Sequence, residues 1–84
     1  MSLMSQPRSQ DDVRRTIGRN LRYLRMELGL RQADVAVLVG VSRKHVAAWE
    51  TGRKRPGLAN LERAADVLGA PSTGWLIDEH EEAR

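Results

Sequence analysis

The residues of this chain best suited to chemistry are its cations. Arg43 and Lys44 stand side by side, Arg53, Lys54 and Arg55 form an unbroken run, and Arg14, Arg15, Arg19, Arg22, Arg25 and Arg31 precede them. From residue 8 to 57, twelve Arg and Lys stand against five Asp and Glu, a net +7. From 58 to 84, two stand against six, a net −4, and the halves together make the +3 of the whole. A basic front and an acidic back suit a protein that turns one side to a polyanion, because like charges gathered on one face sum to an attracting field. Other chemistries find little support. There is no Cys, so neither a disulfide framework nor a cysteine-ligated metal is expected. His45 and His80 lie far apart, and the acids at 78, 79, 81 and 82 read as a solvated tail. No enzyme centre, metal or cofactor is expected. No apolar run reaches membrane-spanning length and the first residues lack the apolar core of a signal peptide, which suits a cytoplasmic protein with no membrane partner.

The elements that must hold these cations read as helices throughout, since β-branched and polar residues never alternate over a useful length. A compact all-α bundle of about five helices is expected. It would occupy 9–78, between a disordered arm at 1–8 and a charged tail at 79–84. Met4 is a candidate start, and Leu3 and Met4 are candidates for covering an apolar patch. Ser9 and Asp12 are spaced as a capping box. Val13, Ile17, Leu21, Leu24 and Leu28 then recur at helical period from about Gln10 to Leu28, and Gly29 ends the helix. Gln32–Val39 is a second, short helix. Gly40 follows it where a left-handed cap suits a residue without Cβ, and Val41 can plug into the core. Ser42 is a good N-cap for a third helix. That helix turns Val46 and Trp49 inward and leaves Arg43, Lys44, Ala47 and Ala48 outside. Leu58, Leu61, Ala65 and Leu68 mark a fourth helix, and Ser72 opens a fifth around Trp75, Leu76 and Ile77. Two short helices joined by a Gly turn, the second with a basic outer face, is the plan of a helix-turn-helix, which sets its second helix in the DNA major groove.

The residues from 21 to 56 read LRxxRxELGLxQxxVAxxVGVSRxxVxxWExGxxxP. This pattern resembles the lambda-repressor-like helix-turn-helix family (Cro-type, xenobiotic-response-element), with Gln32, Ala36, Gly40, Val41, Ser42, Trp49, Glu50, Gly52 and Pro56 in one register. The likeness extends over about Ile17–Ile77 and implies a five-helix lambda-repressor-like bundle. It also implies roles. Arg43, Lys44 and Ala48, with Ala47 on the same face, would read bases. An Arg or Lys on guanine O6 and N7 is worth about 1–3 kcal/mol of discrimination. Gln32 would meet phosphate and brace a base-reading side chain. Arg53, Lys54 and Arg55, with Ser42 and His45, would bind the DNA backbone, which gives affinity and register rather than sequence. Arg25 and Glu50 would pair structurally. The fifth helix would carry a dimer contact through Trp75 and Ile77, with Leu76 turned inward.

Two features depart from the family pattern. Arg31 stands where relatives place a Ser or Thr cap, which weakens the cap and adds a cation beside the DNA backbone. Val37 and Leu38 are apolar on an exposed face. The function implied is a sequence-specific transcriptional regulator of double-stranded DNA, a repressor binding a near-palindromic operator as a homodimer. The alternative is an antitoxin that binds its own operator and also holds a toxin protein, through Val37 and Leu38 or through the acidic tail.

Overall fold

A computed structural model describes residues 7–84. The expectations placed on residues 1–6, including the contact by Leu3 and Met4, lie outside the described residues. Five α-helices follow one another: α1 Gln10–Glu27, α2 Gln32–Val39, α3 Arg43–Glu50, α4 Leu58–Leu68 and α5 Thr73–Ile77. The described residues contain no strand. The start of α1 is fixed by the Ser9 hydroxyl, which accepts from the Asp12 amide at 3.0 Å. Asp11 and Asp12 occupy its first turn and Arg25 its last, both matched to the helix dipole. Gly40 closes α2 at φ 87°, a left-handed conformation that glycine adopts without steric penalty. The turn it makes swings α3 across α2.

Ile17 and Leu21 from α1, Val35, Ala36 and Val39 from α2, and Val46 and Trp49 from α3 close one core with Leu61, Ala64, Ala65 and Leu68 of α4 and Leu76 of α5. Val41 lies half-buried against that core, as its place in the turn suggests. Both apolar stripes end sooner than their spacing implies. Leu28 is 53% exposed and Leu58 is 69% exposed, because each sits at a helix end where no neighbouring helix remains to cover it.

Two polar details set the angles between helices. Gly18, buried in mid-α1, faces α3 so closely that an added Cβ would lie 2.4 Å from the Trp49 carbonyl oxygen and 2.7 Å from that of Glu50. Glycine is what lets α1 rest on the carbonyl end of α3. Asn20, 1% exposed, donates its amide to the carbonyls of Leu76 and Asp78, each at 2.8 Å. Those carbonyls belong to the end of α5, which has no helical partners to offer them. A buried side-chain amide therefore clamps α5 to α1.

The tail is more ordered than its composition suggests. A single 3-10 turn at Glu81–Ala83 packs back against α1. The His80 ring stacks on Trp75 with centroids 3.9 Å apart and planes 16° apart.

Candidate nucleic-acid interface

The outer end of α3 is held by a chain of hydrogen bonds that begins in the core. Arg25 forms a bidentate pair with Glu50, Nε to Oε2 at 2.6 Å and Nη2 to Oε1 at 3.0 Å. Its remaining Nη1 donates to the Leu30 carbonyl at 2.9 Å. The two side chains keep only 14% and 4% of their surface exposed. Its hydrogen bonds to the Glu50 carboxylate raise the Arg25 pKa above its ordinary value, against the opposing effect of burial. Glu50 Oε1 also accepts from Gln32 Nε2 at 3.0 Å, and Gln32 Oε1 accepts from Arg43 Nη1 at 3.2 Å. One relay thus runs from α1 through the last residue of α3 and the first of α2 to the first of α3. It leaves the Arg43 guanidinium outside with most of its donors free, since five N–H groups were available at the start.

Below Arg43, the loop after α3 folds back on the helix. The amides of Arg53 and Lys54 both donate to the Ala48 carbonyl, at 3.0 and 3.2 Å. This places Arg53, Lys54 and Arg55, all exposed, beside the last turn of α3. Among the described residues, neither these three nor Arg43 and Lys44 have a carboxylate within 4.0 Å. Elsewhere the cations are mostly neutralised. Arg14 pairs with Asp11, Arg15 with Asp12 at 2.7 Å, and Arg31 with Asp34 at 3.1 Å. Arg19, Arg22 and Arg63 are also free, but they line two surface clefts rather than the α3 face.

The structure brings most of the expected residues to one surface and corrects three details. Ala48, expected on the outer face, is 7% exposed and lies where the returning loop closes over the end of α3. Ala47 is half-exposed beside it. The Ser42 hydroxyl caps no amide of α3; it is bonded instead to His45 Nδ1 at 2.9 Å. That bond orients the His45 ring outward from the first turn. At the start of α2, the cap that Arg31 lacks is supplied from the other side. An Asp34 carboxylate oxygen accepts the Arg31 amide at 2.8 Å, and hydrogen bonds from the Arg31 side chain and backbone hold the Asp34 carboxyl below its usual pKa. Arg31 and Gln32 therefore reach the surface already engaged, one by a carboxylate and the other by the relay.

Three residues that matter were not singled out from sequence. Gly18 carried a weak signal as a lone glycine inside a helical pattern. Asn20 carried one as a polar residue beside the apolar stripe of α1. Arg14 lies off the apolar stripe, a place that suits phosphate contact or solubility alike, yet its Nε donates to the Gly52 carbonyl at 3.2 Å and ties α1 to the base of the loop. Trp75 and Ile77 are half-buried against the core, and Leu76 is fully buried.

A free-cation surface on the second helix of a helix-turn-helix fits a nucleic-acid backbone and base edges. Comparison with known proteins decides the family: a helix-turn-helix domain profile matches residues 16–74. The chain belongs to the helix-turn-helix domain family. It is similar to an uncharacterized HTH-type transcriptional regulator of Sinorhizobium fredii, 36% identical over 58 residues, which are 69% of this chain and 75% of that one. It is also similar to the cryptic phage CTXphi transcriptional repressor of Vibrio cholerae, 34% identical over 58 residues, 69% of this chain and 52% of the relative. Among solved structures, a hypothetical transcription factor from Neisseria superposes with a TM-score of 0.77 at 28% identity, covering 96% of this chain and 92% of that one. This helix-turn-helix protein is a DNA-binding transcriptional regulator. No described helix is long and apolar enough to cross a membrane.

Proposed function

We propose that this helix-turn-helix protein is a cytoplasmic repressor that binds a near-palindromic operator as a homodimer. The observation that carries the reading is the relay ending on Arg43, which presents a braced guanidinium at the start of the second helix of the motif. Arg43 and Lys44 read base edges, and Ala47 approaches closely enough to meet a thymine methyl. Ala48 contributes only by keeping that approach open. Arg53, Lys54 and Arg55 grip phosphate on one side, and Gln32, Ser42 and His45 do so near the N-termini of α2 and α3, where the helix dipoles favour an anion; Arg31 stands beside them with its guanidinium held by Asp34. Trp75 and Ile77 on α5 supply the dimer contact. A two-fold dimer then sets two recognition helices about 34 Å apart, one DNA turn. Likeness to a phage repressor supports the direction of regulation.

Selection of bound sequences from a random DNA pool at two salt concentrations tests this. A near-palindrome with half-sites one turn apart is expected. Salt-sensitive retention without any enriched motif would reduce the protein to a nonspecific binder, and retention at neither salt would remove the DNA reading.

A second reading, an antitoxin that also holds a toxin protein, rests on Val37 and Leu38, which stay 80% and 46% exposed on α2. Co-expression with the product of a neighbouring gene distinguishes it. A complex that is lost on Val37→Asp without loss of DNA binding would favour the antitoxin.

A further inference from the structure

The face expected to join two copies is already partly covered within one chain. His80 lies flat on the Trp75 indole and its Nε2 is 2.7 Å from the Trp75 carbonyl oxygen. Beyond Asp78 the remaining attachments lie at the surface: Arg8 to Glu79 at 4.0 Å, and the 3-10 turn, which rests on α1 without a buried residue; the Arg84–Glu79 pair at 3.2 Å lies within the segment itself. Up to Asp78 the backbone is held differently. Asn20 is bonded to the Leu76 and Asp78 carbonyls from inside the core, and Arg8 Nη2 donates to the Ile77 carbonyl at 2.8 Å. The boundary between a helix clamped from the core and a segment held at the surface therefore falls at Asp78. None of the bonds to the Leu76, Ile77 and Asp78 carbonyls comes from residues 79–84.

We propose that residues 79–84 form a strap that competes with a second copy of the chain for Trp75. The inference rests on the reading that Trp75 and Ile77 make the dimer contact, and it adds that this contact is held closed in the monomer. Charge points the same way. Each strap carries three carboxylates, at 79, 81 and 82, against the single cation Arg84. Two copies meeting through α5 with both straps in place would bring these like charges together, where they repel. Releasing the strap relieves that repulsion and bares the indole together. Dimerisation is thereby opposed by a built-in competitor, and the monomer–dimer balance, hence operator occupancy, responds to anything that draws the strap away.

Two variants test the strap. His80→Ala removes the cover and keeps the chain; deletion of residues 79–84 removes the whole segment. Thermal melts confirm that each folds, and sedimentation equilibrium gives the dimer dissociation constant. Binding is then compared on duplexes with one half-site and with two. Both variants should dimerise more tightly, by roughly tenfold or more for His80→Ala, since each dimer frees one aromatic stack in each of two chains. Affinity for paired half-sites should rise with it, while affinity for a single half-site stays unchanged. An unchanged or weaker dimer in either folded variant would overturn the strap, the weaker case making it part of the interface. If the intact chain and both variants stayed monomeric on paired half-sites, the dimer reading would fall as well. Loss of single half-site binding by the intact chain would instead count against DNA recognition by α3.

Discussion

The inner and outer sides of α3 both carry ionic groups, and the two sides use them in opposite ways. Inside, Glu50 is almost fully buried, bound twice by Arg25 and once by Gln32, and Gly18 lets α1 rest on the neighbouring carbonyls. Outside, Arg43, Lys44 and the 53–55 loop face solvent with no carboxylate beside them. A charge without a protein partner is available to phosphate. A charge already paired has less to gain, since a new contact must replace the old one. Net charge alone does not separate the two uses, because Arg14, Arg15, Arg25 and Arg31 count equally in the total. The pairing pattern does separate them. It also predicts a clean division: changes inside should affect stability without altering the salt dependence of DNA binding, and changes outside should do the reverse.

Glu50→Ala should break the inner side most severely. It leaves the Arg25 guanidinium buried without its counter-ion and Gln32 without its acceptor. Removing one partner of a buried pair costs about 3–5 kcal/mol, and the lower end is expected because Arg25 keeps a little exposure. Urea denaturation measures it. A loss under about 1 kcal/mol would mean that the pair is screened like a surface one. Gly18→Ala comes next. The new methyl would meet backbone oxygen rather than a yielding side chain, so overpacking of about 1–3 kcal/mol is expected, with α3 displaced as a unit. If the variant melted like the wild type, the close crossing of α1 and α3 would not be a constraint on the fold.

The same contrast explains how much of the molecule is legible in sequence. The helices are, because Gly29, Gly40 and Gly69 punctuate clear helical periods. The Arg25–Glu50 pair and the basic face are legible through the family pattern of residues 21–56. What is not legible depends on contacts distant in the chain. Asn20 reads as a polar residue beside an apolar stripe, and only the fold brings the end of α5, 56 residues away, to its amide. His80 reads as part of a solvated tail until Trp75 is beneath it. Ala48 reads as outward from helical period alone, since the period knows nothing of a loop that returns over it. Leu28 and Leu58 fail for the reverse reason: period assigns them a face, but the neighbouring helices end before reaching them.

On the outer side the effects are smaller and differ in kind. Arg43→Ala should weaken binding to the selected operator by about 1–3 kcal/mol and relax preference at particular bases. Lys54→Ala should weaken binding to every sequence and lower the salt slope by roughly one. Neither should move the melting temperature measurably. Competition binding against operator variants at several salt concentrations separates the two. Should Lys54→Ala change base preference while Arg43→Ala did not, the orientation of α3 on DNA would have to be reversed.

Arg31 gives the finest test, because it stands near the proposed DNA face yet is paired. Asp34 accepts from its backbone and side chain. Asp34→Asn keeps an oxygen for the Arg31 amide and removes the charge that occupies the guanidinium. If pairing is what withholds Arg31 from phosphate, the variant should bind all DNA slightly more tightly, with a salt slope steeper by no more than about one. An unchanged slope would show that Arg31 lies off the DNA path whatever its partner. Acid offers an independent check on the same pair. The Asp34 carboxyl titrates below its usual value because hydrogen bonds from Arg31 favour the ionised form. A depressed folded pKa contributes stability above the unfolded value, near pH 4, and that contribution is lost as pH falls through the folded value. The small difference in melting temperature between wild type and Asp34→Asn should therefore be constant from pH 7 to about 5 and close below about pH 4. A difference persisting at pH 2 would mean that the substitution acts on the shape of the cap rather than on its charge.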